Sequence, residues 1–224
     1  MRLTHPLLEG VGVEHGFGLR DAPEPSGLLR PRQVHGCDVV DAGACRVDPA
    51  PSADAVLSRE PGVRVGVATA DCVPILCASA EGDLVVAIHA GWRGLARGVV
   101  ASSLDAVRRV DARAVLVAAI GPHIGPCCYE VDEPVLDALR HELGDGALAG
   151  SVPTRPGHAR IDLGALAAHA LESAGVARER VGRLPLCCTR CDAERFHSYR
   201  RDGARAGRLV HHIAARVDRS GTHR

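Results

Sequence analysis

The chain has 224 residues, of which 27 are basic and 27 acidic, so its formal net charge at pH 7 is zero. This balance and the 2% of aromatic residues argue against nucleic-acid binding, which uses basic surfaces and stacking platforms. No segment approaches the ~20 apolar residues of a membrane span, and the first residues form no apolar run typical of a signal peptide. The sequence therefore predicts a cytoplasmic protein with no membrane partner, and the odd count of nine cysteines favours reduced thiols over a disulfide framework.

Short strands at roughly ten-residue spacing dominate the first half of the chain. Residues 10–18 alternate weakly between apolar and polar, and residues 32–40 form a predicted strand with a kink at Gly36. Two further strands are predicted at residues 53–58 and 63–70, on either side of a turn. This pattern indicates a β-rich sheet.

A β-hairpin is predicted within residues 70–94, which read ADCVPILCASAEGDLVVAIHAGWRG. Two apolar runs, residues 73–78 and 84–88, flank a short polar turn, as in a hairpin. Cys72 precedes the first run and His89 follows the second. Antiparallel pairing would therefore bring a thiol and an imidazole together at one end of the sheet.

Helical periodicity begins after Gly94. The apolar spacing over residues 95–110 predicts a helix that is entered through the GWRG turn. The apolar run at residues 114–120 predicts a buried strand, and residues 121–129, with two Gly-Pro breaks, are interpreted as a shaped loop.

Two more helices and a strand are predicted in the remainder of the chain. Asp132 is the expected N-cap of a helix that runs through Leu143, and Asp162 is the expected N-cap of a helix over residues 163–174. A short strand is predicted at residues 208–213. Together with the strands of the first half, these elements predict one α+β domain.

His35, Cys72 and His89 form a candidate metal site. Two imidazoles and a thiolate suit Zn²⁺, and three protein ligands leave a fourth coordination position for water or substrate. Each residue lies where a predicted strand meets a turn, and Asp71 is a candidate acceptor for a ligating imidazole or a turn cap. An alternative without metal makes Cys72 a nucleophile with His89 as its base, as in cysteine hydrolases.

The turn at residues 89–94, HAGWRG, is a candidate anion cradle. Free backbone N–H groups and the positive end of a helix would face the same space there. Arg93 would add a bidentate contact to phosphate. The alternative is a tight strand-to-helix turn in which the glycines only avoid clashes of a Cβ atom.

Cysteines and aromatic residues in the second half of the chain carry weaker signals. Cys127 and Cys128, beside a proline turn, are interpreted as packing residues. Cys188 and Cys191 form a single C-x-x-C, and without a second pair of that spacing a structural zinc site is not predicted. Residues 196–201, FHSYRR, suit either a lid over a planar ligand or a solvated surface strand.

Five segments, taken in order, resemble one protein family. They read RQVHG at 32–36, ADCVP at 70–74, HAGWRG at 89–94, IGPHIGPCCYEV at 120–131 and FHSYRRDG at 196–203. The match is to the multicopper-polyphenol-oxidase-like (laccase-domain) family, whose members are regarded as purine nucleoside phosphorylases. It spans most of the chain, from Glu14 to Arg208.

This resemblance implies an α+β fold in a single domain over residues 1–224, built from two related β-rich halves with flanking helices and similar to the catalytic domain of the cytotoxic necrotizing factor toxins. It implies a Zn²⁺ ion held by His35, Cys72 and His89, with copper as the alternative metal, and catalysis by these residues with Arg93. The implied reaction is phosphorolysis of adenosine, inosine and methylthioadenosine, with deamination of adenosine. The expected partners are a purine nucleoside and phosphate, and the expected state is a monomer or a weak homodimer.

Peptidoglycan editing and copper-dependent oxidation of phenols are alternative activities within the same family. A multicopper oxidase needs several His-x-His pairs, and the sequence has none. The chain also departs from the family in one segment. The segment at residues 21–31 is too short for the helix that members carry before the QVH segment. If that helix lines the nucleoside pocket, its absence affects the substrate range or the activity.

Overall fold

A six-stranded mixed sheet lies at the centre of the protein in the computed structural model, which describes residues 2–185 and 188–217. Within these ranges the strands are β1 (Arg2–Leu3), β2 (Glu14–Gly18), β3 (Val39–Asp41), β4 (Ala55–Ser58), β5 (Arg64–Thr69), β6 (Val73–Ser79), β7 (Val85–Ala90), β8 (Leu116–Ile120), β9 (Glu130–Asp132), β10 (Val152–Pro153), β11 (His158–Arg160), β12 (Val181–Arg183) and β13 (Leu209–Ala214). The helices are α1 (Pro6–Gly10), α2 (Trp92–Leu95), α3 (Val99–Val110), α4 (Glu133–Leu143), α5 (Leu163–Ser173) and α6 (Tyr199–Asp202).

The strands form three sheets, which confirms the mixed α+β class. The central sheet has the order β12-β8-β6-β7-β4-β3, and a four-stranded sheet has the order β1-β2-β13-β5. A small third sheet has the order β10-β11-β9. The proposed relation between two β-rich halves and the likeness to the necrotizing factor toxins stay predictions.

The inner strands β6, β7 and β8 of the central sheet are buried on both faces, which explains why they are almost entirely apolar instead of alternating. In β6, Ile75 and Cys77 belong to one apolar cluster, while Leu76 and Ala78 belong to another on the opposite face. Successive side chains of a strand point to opposite faces, so both sets of positions must be apolar.

Helices cover one face of the central sheet and the second sheet covers the other. The first cluster joins residues of α3, α4 and α5 to the sheet, and the second joins it to β2, β5 and β13. Phe17 of β2 and Ile213 of β13 are fully buried in the second cluster. The central sheet is therefore packed between two layers.

The direction of the strands brings five loops to one end of the central sheet. β4 and β6 are both antiparallel to β7, so the start of each lies beside the end of β7. β8 is antiparallel to β6 and β12 is parallel to β8, so β8 and β12 also end there. Five segments therefore meet at this end, together with the chain that follows β12. They are residues 32–38, 53–54, 70–72, 91–98 and 121–129.

Several predicted elements are confirmed. β6 and β7 pair as a hairpin around residues 80–84, and β8, α5 and β13 match the predictions at 114–120, 163–174 and 208–213. Asp132 and Asp162 are the N-cap residues of α4 and α5, and the Asp162 carboxylate accepts a hydrogen bond from Ala165 N–H.

Three predicted elements are wrong in their extent. Residues 32–38 are not a strand, because the backbone N–H groups of this segment bind a buried carboxylate described below instead of a neighbouring strand. The helix predicted over 95–110 is divided into α2 and α3 at Gly98, whose φ of 73° lies in the left-handed region. In the segment 10–18 only β2 is a strand. No helix in the described residues is long and apolar enough to cross a membrane.

Candidate metal centre

His35, Cys72 and His89 meet at the shared end of the central sheet. One donor atom from each lies within 4.8 Å of the donor atoms of the other two. The His35 and His89 rings stand nearly perpendicular, with centroids 4.8 Å apart, and His35 Nε2 is 3.9 Å from Cys72 Sγ. The three residues predicted to form a metal site are therefore neighbours in the fold.

The hairpin positions two of these three residues as predicted. Val73 pairs with Ala90 and Pro74 with His89, so Cys72, one residue before β6, lies beside the end of β7. His35 comes from a loop rather than from the predicted strand. Its φ of 58° places it in the left-handed region, which few residues other than glycine adopt.

Asp54 binds the His89 ring and the backbone of His35, and it is not among the residues predicted from the sequence. Its carboxylate is fully buried and accepts hydrogen bonds from the N–H groups of Val34, His35 and Gly36 at 3.2, 2.9 and 2.6 Å. It also accepts one from His89 Nδ1 at 2.7 Å. This bond fixes the proton on Nδ1 and leaves His89 Nε2 free to bind a metal. The signal in the sequence was an aspartate directly before the buried strand β4.

Charged groups meet at this site beside the buried His89 ring. Burial raises the pKa of the Cys72 thiol, but hydrogen bonds from His35 and His89 outweigh burial and lower it to about 6. Burial lowers the pKa of His89, while the bonds to Asp54 and Cys72 outweigh this and raise it to about 9. Both shifts favour the thiolate form of Cys72 and the protonated form of His89 in the metal-free protein, and a thiolate is the form that binds a metal.

Asp71 has the second of its two predicted roles, because its carboxylate binds a backbone N–H in the turn α6. Its carboxylate accepts hydrogen bonds from Thr189 Oγ1 at 2.5 Å and from Arg200 N–H at 2.6 Å, and its carbonyl accepts one from Ile124 N–H. No hydrogen bond between Asp71 and His35 or His89 is found. Asp71, the neighbour of Cys72, therefore connects two distant loops to the site. The acceptor for the imidazole is Asp54.

Gly91 allows the metal ligands to approach each other. A Cβ atom at this position would lie 2.9 Å from Cys72 Sγ and 3.2 Å from His35 Cδ2. α2, which follows Gly91, is a single turn, and no side chain caps its N-terminus. The steric interpretation of the glycine turn is therefore supported at Gly91.

Substitution of Gly91 by alanine is expected to weaken metal binding without unfolding the protein, because the new methyl group pushes Cys72 and His35 apart. Zinc affinity is expected to fall by about 10- to 100-fold, the range found when groups that support metal ligands are changed. Competition with a chromophoric chelator measures this affinity. Gly150→Ala is the matched control, since nothing lies within 4 Å of the added atom. Equal affinity in the two variants would contradict the steric role of Gly91.

A cavity of about 720 Å³ opens above the three residues. The single tryptophan and both tyrosines of the chain, Trp92, Tyr129 and Tyr199, line it. In a protein with 2% aromatic residues, this concentration around one cavity indicates a planar, apolar ligand.

The same cavity is rich in arginine. Its lining residues include Arg30, Arg93, Arg200 and Arg208, whereas the whole chain has no net charge. Arg93 is exposed, and its guanidinium carbon lies 4.5 Å from the centroid of the Trp92 ring. These cations favour an anionic group such as phosphate beside the planar ligand.

Two loops complete the cavity wall. Residues 196–201 do not form the surface strand that was one of their two interpretations: they lead into the helical turn α6, which brings Tyr199 and Arg200 to the cavity. The short segment at 21–31 contains no helix, as expected, but it reaches the cavity with Arg30.

The chain belongs to the family described as multi-copper polyphenol oxidoreductase laccase, which matches residues 19–216. It is 40% identical over 183 residues to a purine nucleoside phosphorylase of Xylella fastidiosa (strain 9a5c), a match that covers 80% of this chain and 68% of the relative. It is 34% identical over 193 residues to a protein named adenosine deaminase RL5, from an unknown prokaryotic organism, with coverage of 81% and 72%.

The fold matches that of a solved structure over almost its whole length. The crystal structure of YlmD from Geobacillus stearothermophilus superposes with a TM-score of 0.84 at 27% identity, covering 96% of both chains. The mixed α+β fold with several sheets is thus the fold of this family.

The residues present fit a bound divalent metal. The donor set of two imidazoles and one thiolate is the kind that binds Zn²⁺ with an open position, and Asp54 orients one imidazole as metal sites require.

Proposed function

We propose that this chain, as a single domain, is a zinc-dependent purine nucleoside phosphorylase that acts on adenosine, inosine and methylthioadenosine and also deaminates adenosine. The observation that carries the proposal is the position of the His35, Cys72 and His89 donor atoms on the floor of a cavity lined by aromatic rings and arginines. The names of the relatives at 34–40% identity support the same two activities.

The cavity offers separate places for the two parts of the reaction. Trp92, Tyr129 and Tyr199 provide flat apolar surface for a purine ring, and a cavity of this volume suits a ligand the size of a nucleoside. Arg93, whose guanidinium carbon lies 4.5 Å from the centroid of the Trp92 ring, would bind phosphate near the sugar. Holding both reactants in one orientation is the main source of rate enhancement expected here.

The protein's own groups fix the reacting centre. When bound to His35, Cys72 and His89, Zn²⁺ would supply a Lewis acid in contact with the substrate or with water. Asp54 keeps the proton of His89 on Nδ1, and its bonds to the loop backbone hold His35 in its left-handed conformation. The Arg200 guanidinium lies 5.0 Å from the Tyr129 ring and keeps one wall of the cavity in place.

Product analysis tests this proposal. Zinc-loaded protein is expected to convert inosine to hypoxanthine and ribose 1-phosphate only when phosphate is present, and adenosine to inosine with or without it. Arg93→Ala is expected to raise the KM for phosphate by about tenfold or more, the loss of one charge-assisted contact, while deamination of adenosine changes little. If the zinc-loaded protein forms neither product from either nucleoside, the proposed function is wrong.

A second candidate function is a cysteine hydrolase, such as a peptidoglycan-editing enzyme. The Asp54 carboxylate binds His89 Nδ1, and the donor atoms of His89 and Cys72 lie within 4.8 Å of each other, which is the order of acid, base and nucleophile in a catalytic triad. Such an enzyme would keep its activity after chelation of zinc. Copper-dependent oxidation of phenols is less well supported than either of these functions, because a multicopper oxidase needs several histidine-rich sites. Within the described residues only two clusters of three or more His and Cys side chains are found, and one of them contains no histidine.

A further inference from the structure

A second group of possible metal ligands lies outside the cavity. It consists of four thiols, those of Cys127, Cys128, Cys188 and Cys191, whose sulfur atoms all lie within 4.8 Å of one another. Cys127 and Cys191 are exposed, so the interpretation of the Cys127–Cys128 pair as packing residues is wrong for Cys127. The expectation that the C-x-x-C lacks a second pair of cysteines is also wrong, because Cys127 and Cys128, about 60 residues earlier in the sequence, lie beside it.

We propose that these four cysteines bind a structural Zn²⁺ ion, distinct from the one assigned to the cavity. In a tetrahedral site with Zn–S bonds of about 2.3 Å, neighbouring sulfur atoms lie about 3.8 Å apart. Cys191 Sγ is 3.7 Å from Cys127 Sγ and 3.3 Å from Cys128 Sγ. Small adjustments of the side chains bring such a group to tetrahedral geometry, and tetrahedral sites of four thiolates are typical of Zn²⁺.

Neighbouring groups support thiolate ligands at this place. Gly125 N–H donates a hydrogen bond to Cys188 Sγ at 3.2 Å, and the Arg190 guanidinium donates one to Cys128 Sγ at 3.4 Å. Backbone N–H groups and a nearby cation offset the net negative charge of a zinc ion with four thiolates.

The proposed ion would join two loops that come from distant parts of the chain. Cys127 and Cys128 lie in the loop after β8, and Cys188 and Cys191 lie in the chain after β12. A backbone hydrogen bond from Thr189 to His123 links the same two segments.

The loop of Cys127 and Cys128 reaches the cavity, and the loop of Cys188 and Cys191 is hydrogen-bonded to Asp71, which lines it, so the ion would also support the cavity wall. Tyr129 follows Cys128 directly and lines the cavity, and Thr189 donates the hydrogen bond that holds Asp71 next to Cys72. Arg201 donates hydrogen bonds to the carbonyls of Thr189 and Arg190, which connects the C-x-x-C to α6. The site is therefore structural, and its existence does not depend on which reaction the cavity catalyses.

Metal analysis tests the proposal. Variants of the 224-residue chain are purified under reducing conditions with zinc supplied. The unmodified chain is expected to hold two zinc ions, and C191S and C127S are each expected to hold one. C72A is expected to lose only the cavity ion. C45S, in which a buried thiol of the second apolar cluster is changed, is the control and should keep both ions.

Spectroscopy identifies the ligands independently. In C72A loaded with cobalt, intense thiolate-to-cobalt charge-transfer absorption is expected, and X-ray absorption of the zinc form should give four sulfur neighbours at about 2.3 Å. The proposal is overturned if C191S and C127S retain two zinc ions, if C72A retains none, or if iron or copper occupies the four-sulfur site. It is also overturned if the four cysteines of the reduced preparation are found as disulfides.

Discussion

Replacement of Asp54 by asparagine is expected to reduce zinc affinity at the cavity site by 10- to 100-fold and to lower activity by at least as much. All four groups that face the carboxylate are N–H donors, from Val34, His35, Gly36 and His89. An asparagine NH₂ group must face two of them. If it faces His89, this ring accepts at Nδ1 and carries its proton on Nε2, which removes a metal ligand.

Stability is expected to fall as well, by about 1–3 kcal/mol, because buried donors lose their acceptor. Thermal unfolding of the zinc-free protein separates this effect from the loss of metal, and a decrease of several degrees is expected for a chain of this size. Asp38→Asn is the matched control, since this carboxyl group is exposed and nearby in sequence. Equal zinc affinity in D54N and D38N would show that Asp54 does not orient the metal ligands.

The second large effect is expected for Cys72→Ala. The thiolate is the one anionic ligand of the proposed centre, and its loss should remove the cavity zinc and lower kcat/KM by about 10³-fold, which corresponds to several kcal/mol of transition-state stabilisation. Zinc content and phosphorolysis of inosine are measured on the same preparation. C45A, which changes a buried thiol away from the cavity, should keep both.

Chelation separates the metal enzyme from the cysteine hydrolase. Removal of zinc from the unmodified chain should lower activity to the level of C72A, and added zinc should restore activity in the unmodified chain only. A chain that stays active without zinc and loses activity in C72A would instead use Cys72 as a nucleophile, with His89 and Asp54 completing the triad.

The residues of the candidate metal site could be predicted from the sequence because two of them flank the strands of one hairpin. A hairpin pairs residues that are close in the chain, so the two apolar runs around residues 80–84 were enough to place Cys72 beside His89. His35 was added by its residue type and by the resemblance to a family, and the expected strand around it is not formed. Its loop is shaped by the Asp54 carboxylate, and a carboxylate that replaces a strand as backbone acceptor leaves no periodic trace in sequence.

The four-cysteine group shows the opposite case. Its two halves come together because β12 lies parallel to β8, so that both strands end at the same edge of the sheet. This pairing could not be predicted from the sequence, because β12 is only three residues long and partly buried and so has no clear strand pattern. The C-x-x-C therefore looked like half of a site in the sequence, although the other half was present as an adjacent pair.

The sequence alone determined the α+β class, the central hairpin, the helices after Asp132 and Asp162, and the residue types of the candidate metal site. These features depend on local periodicity, on capping and on the chemistry of single side chains. Only the tertiary structure decided that Asp54 orients the site, that Gly91 makes room for it, that the aromatic residues surround one cavity, and that four cysteines share one place. Each of these depends on strand order and direction, which bring together groups from distant segments of the chain.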